Sequence, residues 1–181
     1  MSLRKKLIRV LVPVAASQLM LLSVAVSQAQ SVGLGTPISE SQLQNFDLIA
    51  GADGIGFPAG SGTALQGKEV YDVKCATCHA PNGEGTSGNT VLVGGDMHSD
   101  GVPLRTVGSY WPYASTLFDY VRRAMPATAP KSLSDIEVYQ VTAYVLYLNG
   151  IIDQYKILNS ESLTEINMPN KGGFIDSSQQ Q

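Results

Sequence analysis

The chain has 181 residues, with 12 basic and 15 acidic side chains, a formal net charge of −3, two cysteines and two histidines. Arg4, Lys5, Lys6 and Arg9 all precede the first acidic residue, so removing residues 1–29 leaves eight basic against fifteen acidic side chains, about −7 net. That balance argues against nucleic acid or an anionic membrane surface as partner.

Those four basic residues open what reads as a secretory signal: an apolar run from Val10 to Val26 follows, and Ser27-Gln28-Ala29 places small residues at −3 and −1 of a cleavage site. A membrane anchor needs about 20 apolar residues, and this run is interrupted by Pro13, Ser17, Gln18 and Ser23. The exported chain is expected to begin near Gln30, in the periplasm and without stable membrane insertion. Its remaining length, about 152 residues, suits one domain with its own core.

Residues 30–61 are rich in Gly, Ser and Pro and lack sustained periodicity, which predicts an extended arm. Thr63 and Gln66 have capping-box spacing, so a helix is expected to start there, with Gly67, Val70, Tyr71 and Cys75 along one face. It opens a domain over 62–152. The glycine-rich stretch 80–109 reads as loop with at most a short helical turn, and loops of this length tend to be functional.

The segment "PYASTLFDYVRRA" predicts a second helix, with Pro112 at its first position, a stripe of Tyr113, Leu117, Tyr120, Val121 and Ala124, and a stop before Pro126. A third helix starts at Ser134, with Glu137 completing a capping box and Leu133 stapled on Val138; it carries Val141, Tyr144, Val145 and Leu148 and ends at Asn149-Gly150. The stretch 153–181 reads as a polar tail whose SSQQQ end frays, and composition leaves open whether it and the arm bind a partner or cover the domain's own surface. The domain is therefore expected to be mainly α, with three main helices and long loops.

Chemistry concentrates in Cys75-Ala76-Thr77-Cys78-His79. C-x-x-C-H is the attachment pattern of a c-type haem: both thiols add to the porphyrin vinyl groups, and the histidine reaches the iron. An exported chain that used cysteines for stability would spread them as disulfide pairs. A structural zinc needs four ligands, and outside the motif the chain offers only His98. A thioredoxin-like pair would start a helix in a βαβ setting, whereas this motif ends one. "GTALQGK" at 62–68 begins like a Walker A motif, but Glu69 stands where Ser or Thr is needed.

With His79 on one side of one covalently held haem c, the sixth position separates electron transfer from catalysis. Met97, His98, Met125 and Met168 are candidates. Met125 is preferred because a helix leads to it and Pro126 turns the chain directly after. Methionine ligation favours the ferrous state and raises the potential. Gap-filling in the core is the ordinary role of methionine, but a haem iron calls for a partner.

"GKEVYDVKCATCH", a Met-Pro after the middle helix, and "LSDIEVYQVTAYVLYLN" together resemble class I cytochrome c. That resemblance implies that the first and last helices cross near Gly67, Tyr71 and Tyr144. "TVGSYWPYASTLFDYVRRAMP", "INMPNKGGF" and "GFPAGSGTALQGKEVY" are similar to the cytochrome subunits of molybdenum-containing sulfur dehydrogenases, the sulfane dehydrogenase of the Sox pathway and its sulfite dehydrogenase relatives. This chain has one C-x-x-C-H motif, where well-known sulfane dehydrogenase cytochromes carry a second haem domain.

The resemblance implies an electron conduit without substrate chemistry of its own, fed by a molybdenum-containing dehydrogenase subunit and emptied by a downstream cytochrome c. Two other readings compete with it, a peroxidase-type haem enzyme with an open sixth position and a general soluble carrier unrelated to sulfur oxidation. Arg105, Tyr110 and Trp111 are candidates to bind the haem propionates, with ordinary packing as the alternative. Arg122 and Arg123 read as a solvated helix face or a docking rim.

Overall fold

The structure, a computed structural model, describes residues 35–43 and 46–179; the expected secretory signal at 1–29 lies outside them. Contacts divide the chain into Met1–Ile38 and Ser39–Gln181, and all the described helices belong to the second unit. They are α1 (Glu40–Leu43), α2 (Ala64–Lys74), α3 (Ala76–His79), α4 (Val107–Tyr110), α5 (Ala114–Ala124), α6 (Asp135–Leu148) and α7 (Ser160–Thr164), with a closing 3-10 turn at Ser177–Gln179. Among the described residues there are no strands, only isolated bridges between Gly62 and Leu158 and between Thr86 and Asn89. The mainly α architecture is the expected one. None of the described helices is long and apolar enough to cross a membrane.

Both long terminal helices start where their capping boxes place them. Thr63 accepts from the Gln66 amide while the Gln66 side chain accepts from Thr63, and Ser134 and Glu137 do the same for α6. Each box satisfies two amides that have no partner within the helix. The short turn expected in the 80–109 loop is α4, capped in the same way by Thr106 and Ser109.

α6 is the centre of the fold. Val138, Tyr139 and the run from Val141 to Leu146 are all buried, the pattern of a helix covered on every side. α2 crosses it at Gly67, where a Cβ would collide with the Gln140 carbonyl oxygen and come within 2.9 Å of Tyr144 Cβ. One turn further on, the Tyr71 and Tyr144 rings pack with centroids 5.1 Å apart. The crossing is the expected one, and only a residue without a side chain permits it.

α5 begins at Ala114, two residues later than its sequence pattern suggests, with Tyr113 as the cap. Its buried face is also rotated from the expected stripe. Phe118 is buried against Tyr139 at 4.5 Å and Phe57 at 5.1 Å, whereas Tyr113 and Tyr120 are exposed. The helix is wedged between α6 and the arm, so it needs a second apolar direction that the single-stripe reading omits.

The described part of the tail packs on the domain. Leu158, Leu163 and Met168 are essentially fully buried, Leu158 exchanges both backbone hydrogen bonds with Gly62 at 2.8 and 2.9 Å, and α7 is capped by Asn159. These three apolar residues recur every fifth position, a spacing that matches neither helix nor strand. Only Leu163 lies on a helix, the short α7, and periodicity does not detect such anchors.

Lys74 and Glu137 join the end of α2 to the start of α6 at 2.6 Å. The Lys74 hydrogen bond, and after it the Ser134 amide, hold the Glu137 carboxyl below its ordinary value of 4.5. A depressed carboxylate contributes stability that is present above that value and is lost as the pH falls below it through the folded value. Glu137→Gln keeps the capping box, because Gln serves equally at that position. Urea unfolding should therefore show a loss of at most about 1 kcal/mol at pH 7, and a shallower fall in stability than wild type between pH 4.5 and lower pH.

Candidate functional site

α2 ends at Lys74, and Cys75 serves both as its C-cap and as the N-cap of α3, so the whole C-x-x-C-H motif lies on a single helical turn. Ala80 then takes φ 61° and ψ 166°, a backbone region otherwise reserved for glycine. The Tyr71 hydroxyl donates to the Ala80 carbonyl at 3.0 Å. Burial pushes the Tyr71 hydroxyl pKa well above its usual value, so it stays protonated as that donor. The bond ties the residue after the motif to the middle of the helix before it.

His79 is half-buried, and its Nδ1 lies 2.8 Å from the Thr90 carbonyl oxygen. A carbonyl can only accept, so the bond assigns the proton to Nδ1 and leaves the Nε2 lone pair free as a ligand. Thr90 belongs to the glycine-rich loop, which is itself fastened to the end of α6. Asn149 Nδ2 donates to the Leu92 carbonyl at 3.1 Å, Asn149 Oδ1 accepts from the Gly94 amide at 3.2 Å, and the Thr106 hydroxyl bonds the Gly94 carbonyl. Loop composition alone gave no signal for either partner.

Cys75, Cys78 and His79 line a cavity of about 700 Å³, within the range of roughly 300–1,000 Å³ typical of cofactor and ligand sites. Leu92, Val107, Leu117, Val121, Val141 and Val145 supply apolar walls, and Trp111 and Tyr120 stand at its side with rings 5.7 Å apart. Met125 and the following Pro126–Ala129 stretch line the same cavity. Burial raises the Cys75 thiol to about 11, with the charge of Lys74 opposing. Reactive redox cysteines have lowered values, so Cys75 is not poised as a thiolate nucleophile.

The four sixth-ligand candidates are separated by position. Met125 lines the cavity of the motif; Met97 and His98 line a different, shallower cleft beside Asn149 and Asn170; Met168 is buried in the core. Of the other site residues, Trp111 lines the cavity and Arg105 and Tyr110 do not. The Tyr110 ring lies between the Arg105 guanidinium at 5.1 Å and Phe174 at 5.2 Å, and its carbonyl accepts from Asn170 at 2.6 Å. Phe174 and Asn170 of the tail thus pack on Tyr110, and Arg105 packs on the same ring.

The donor set fits a haem. Two thiols free of any disulfide, an imidazole with its outer nitrogen free and a thioether face one apolar cavity of suitable volume. Those are the functional groups of a c-type attachment site with His and Met as axial ligands.

Residues 62–145 match the family described as cytochrome c oxidase, cbb3-type, subunit III. The crystal structure of the sulfane dehydrogenase SoxCD from Paracoccus pantotrophus contains a similar chain, with 38% identity and a TM-score of 0.77, covering 83% of this chain and 75% of that one. This protein belongs to the cytochrome c family. The cytochrome is also 28% identical, over 124 residues, to the cbb3-type cytochrome c oxidase subunit FixP of Azorhizobium caulinodans. That match takes in 68% of this chain and spans 40% of the curated relative. Family membership implies haem and an electron-transfer role.

The strained Ala80 offers a direct check on the motif's geometry. Ala80→Gly should stabilise the protein by about 1 kcal/mol, the strain of roughly 1–3 kcal/mol being partly offset by the added freedom of glycine in the unfolded chain. Thermal or urea unfolding of the haem-loaded protein measures it, and a loss of stability would contradict the Ala80 conformation.

Proposed function

We propose that this cytochrome is a periplasmic carrier with one covalently held haem c, which takes single electrons from a molybdenum-containing dehydrogenase of sulfur compounds and passes them to a downstream cytochrome. On this reading residues 1–29 are the export signal and are removed. Cys75 and Cys78 form the thioethers, His79 Nε2 is one axial ligand and the Met125 sulfur the other. The observation that carries the electron-transfer half is the presence of Met125 and His79 in one cavity. The sulfur half rests on the 38% identity to a chain of SoxCD, which spans most of both chains.

Bound haem would supply a one-electron couple at its iron. The protein's own residues do the rest. Thr90 holds the His79 ring in one tautomer, which makes Nε2 a better and better-aimed donor. The Val121, Val141 and Val145 side chains exclude water, and a dry site with a neutral thioether disfavours the more highly charged oxidised state, which raises the potential. Trp111 is available at the cavity to donate its indole N–H to a carboxylate of the haem. A filled sixth position also leaves no site for peroxide, which sets this reading against a peroxidase-type enzyme.

The oxidised protein should show the weak far-red sulfur-to-iron absorption band, and Met125→Ala should abolish it. Survival of the band in the variant would remove Met125 from the iron. Gentle purification of the native protein followed by metal analysis should recover a molybdenum-containing partner; a clean monomer with no such subunit would overturn the dehydrogenase assignment while leaving the cytochrome reading intact.

A further inference from the structure

Residues 122 and 135 stand at the two ends of the loop that carries Met125, and they are bonded to each other. Arg122 Nε donates to Asp135 Oδ1 at 2.9 Å, joining the last turn of α5 to the first residue of α6. Between them the chain runs from Met125 through two successive turns, Ala129 N–H to the Pro126 carbonyl and Ser132 N–H to the Ala129 carbonyl. Met125, Pro126, Ala127, Thr128, Ser132 and Leu133 all line the cavity. Its backbone has one tie to α5, from the Met125 amide to the Val121 carbonyl at 3.2 Å.

The arginine side chain is only 12% exposed, and its Nη1 is bonded as well. Arg122 Nη1 donates to the Leu48 carbonyl at 3.1 Å and to the Gly56 carbonyl at 3.3 Å. The neighbouring turn of α5 repeats the attachment, since Asp119 Oδ1 accepts from the Ala50 amide at 3.0 Å and from Arg123 Nε at 2.9 Å. The arm residues are held in turn by α6, where the Tyr139 hydroxyl donates to the Pro58 carbonyl at 2.9 Å. Arg122 is therefore not part of a solvated face, whereas Arg123 stays exposed and pairs with Asp119 on its own helix. One guanidinium joins the arm, the methionine helix and the central helix.

We propose that Arg122 is the positioning residue for the methionine ligand. It pins the base of the Met125 loop and so holds the sulfur on the iron against competing ligands, with the arm between Leu48 and Gly56 as the brace that fixes the guanidinium. The proposal rests on Met125 being the sixth ligand. A planar cation with several donors meets these acceptors together; a lysine at the same position keeps the charge toward Asp135 and loses the bridge. Closing a loop at its base removes conformations in which its tip has swung away, and here the tip is the ligand.

The test is imidazole binding to the oxidised, haem-loaded, full-length protein, followed by loss of the far-red band. Imidazole enters only when Met125 leaves, so its apparent affinity reports how often the loop opens. Arg122→Gln should bind imidazole about tenfold more tightly than wild type, the expected effect of losing a hydrogen bond to a charged group, and Arg122→Lys should fall between. Asp135→Asn, which removes the charge from the other side of the same pair and weakens it, should shift affinity in the same direction and serves if Arg122→Gln does not fold. Glu137→Gln, which breaks an ion pair outside the loop, should leave imidazole affinity unchanged. Met125→Ala should bind tightest.

If Arg122→Gln and Asp135→Asn bind imidazole as wild type does while Met125→Ala binds more tightly, the pin is wrong and the ligand assignment stands. An equal gain in Glu137→Gln would reduce Arg122 to a general stabiliser and overturn its positioning role. If Met125→Ala gains nothing over wild type, the ligand assignment itself fails and the proposal falls with it.

Discussion

Everything at the site depends on the contact of Gly67 with the Gln140 backbone. The absence of a side chain there lets α2 rest directly on α6, which sets the depth and direction at which α2 ends. Four residues on, Tyr71 packs its ring on Tyr144 and sends its hydroxyl past the motif to the Ala80 carbonyl. The motif is thereby held at its approach and at its exit. A larger residue at 67 would force the helices apart and displace both cysteines and His79 together, because they ride on the turn directly after α2.

The two sides of the cavity are held by different means. His79 sits on a rigid helical turn and its ring is aimed by a loop that Asn149 fastens to the end of α6. Met125 sits at the C-cap of a helix, at the start of a loop without regular structure, and long-range polar bonds compensate for what the local backbone lacks. The charges of α5 are thus spent on internal geometry. Asp119 shows this too: partial burial pushes its carboxyl up, but the hydrogen bonds from Arg123 and the Ala50 amide outweigh that and hold it below its usual range.

What could be read from the sequence was whatever acts over a few neighbouring residues. The Thr63, Ser134 and Asn149-Gly150 helix boundaries depend on groups within three or four positions, and the C-x-x-C-H motif is contiguous. Gly67, Tyr71 and Tyr144 were placed at the helix crossing by resemblance, and the structure shows why a glycine is needed there. The packing of the tail was left open because Leu158, Leu163 and Met168 recur at a spacing that matches neither helix nor strand. The partners of Arg122 were out of reach because Leu48 lies 74 residues away along the chain and contributes a backbone carbonyl, which every residue possesses. Met125 stood between these cases, its helix and proline being local and the cavity that it shares with His79 being tertiary.

That difference has a consequence for an electron carrier. One-electron transfer is fastest when the site changes shape little between oxidation states, which favours ligands that the protein holds in place before the electron arrives, the same preorganisation that serves polar catalysis. The histidine side has a helical turn and, on the proposed attachment, thioethers beside it. On the proposed ligation the methionine side has neither, so its rigidity must come from whatever closes the 122–135 loop. The N-terminal arm then has a reason to be held against α5 by Asp119 and Arg122: it completes the frame around the less constrained ligand, although none of its described residues lines the cavity.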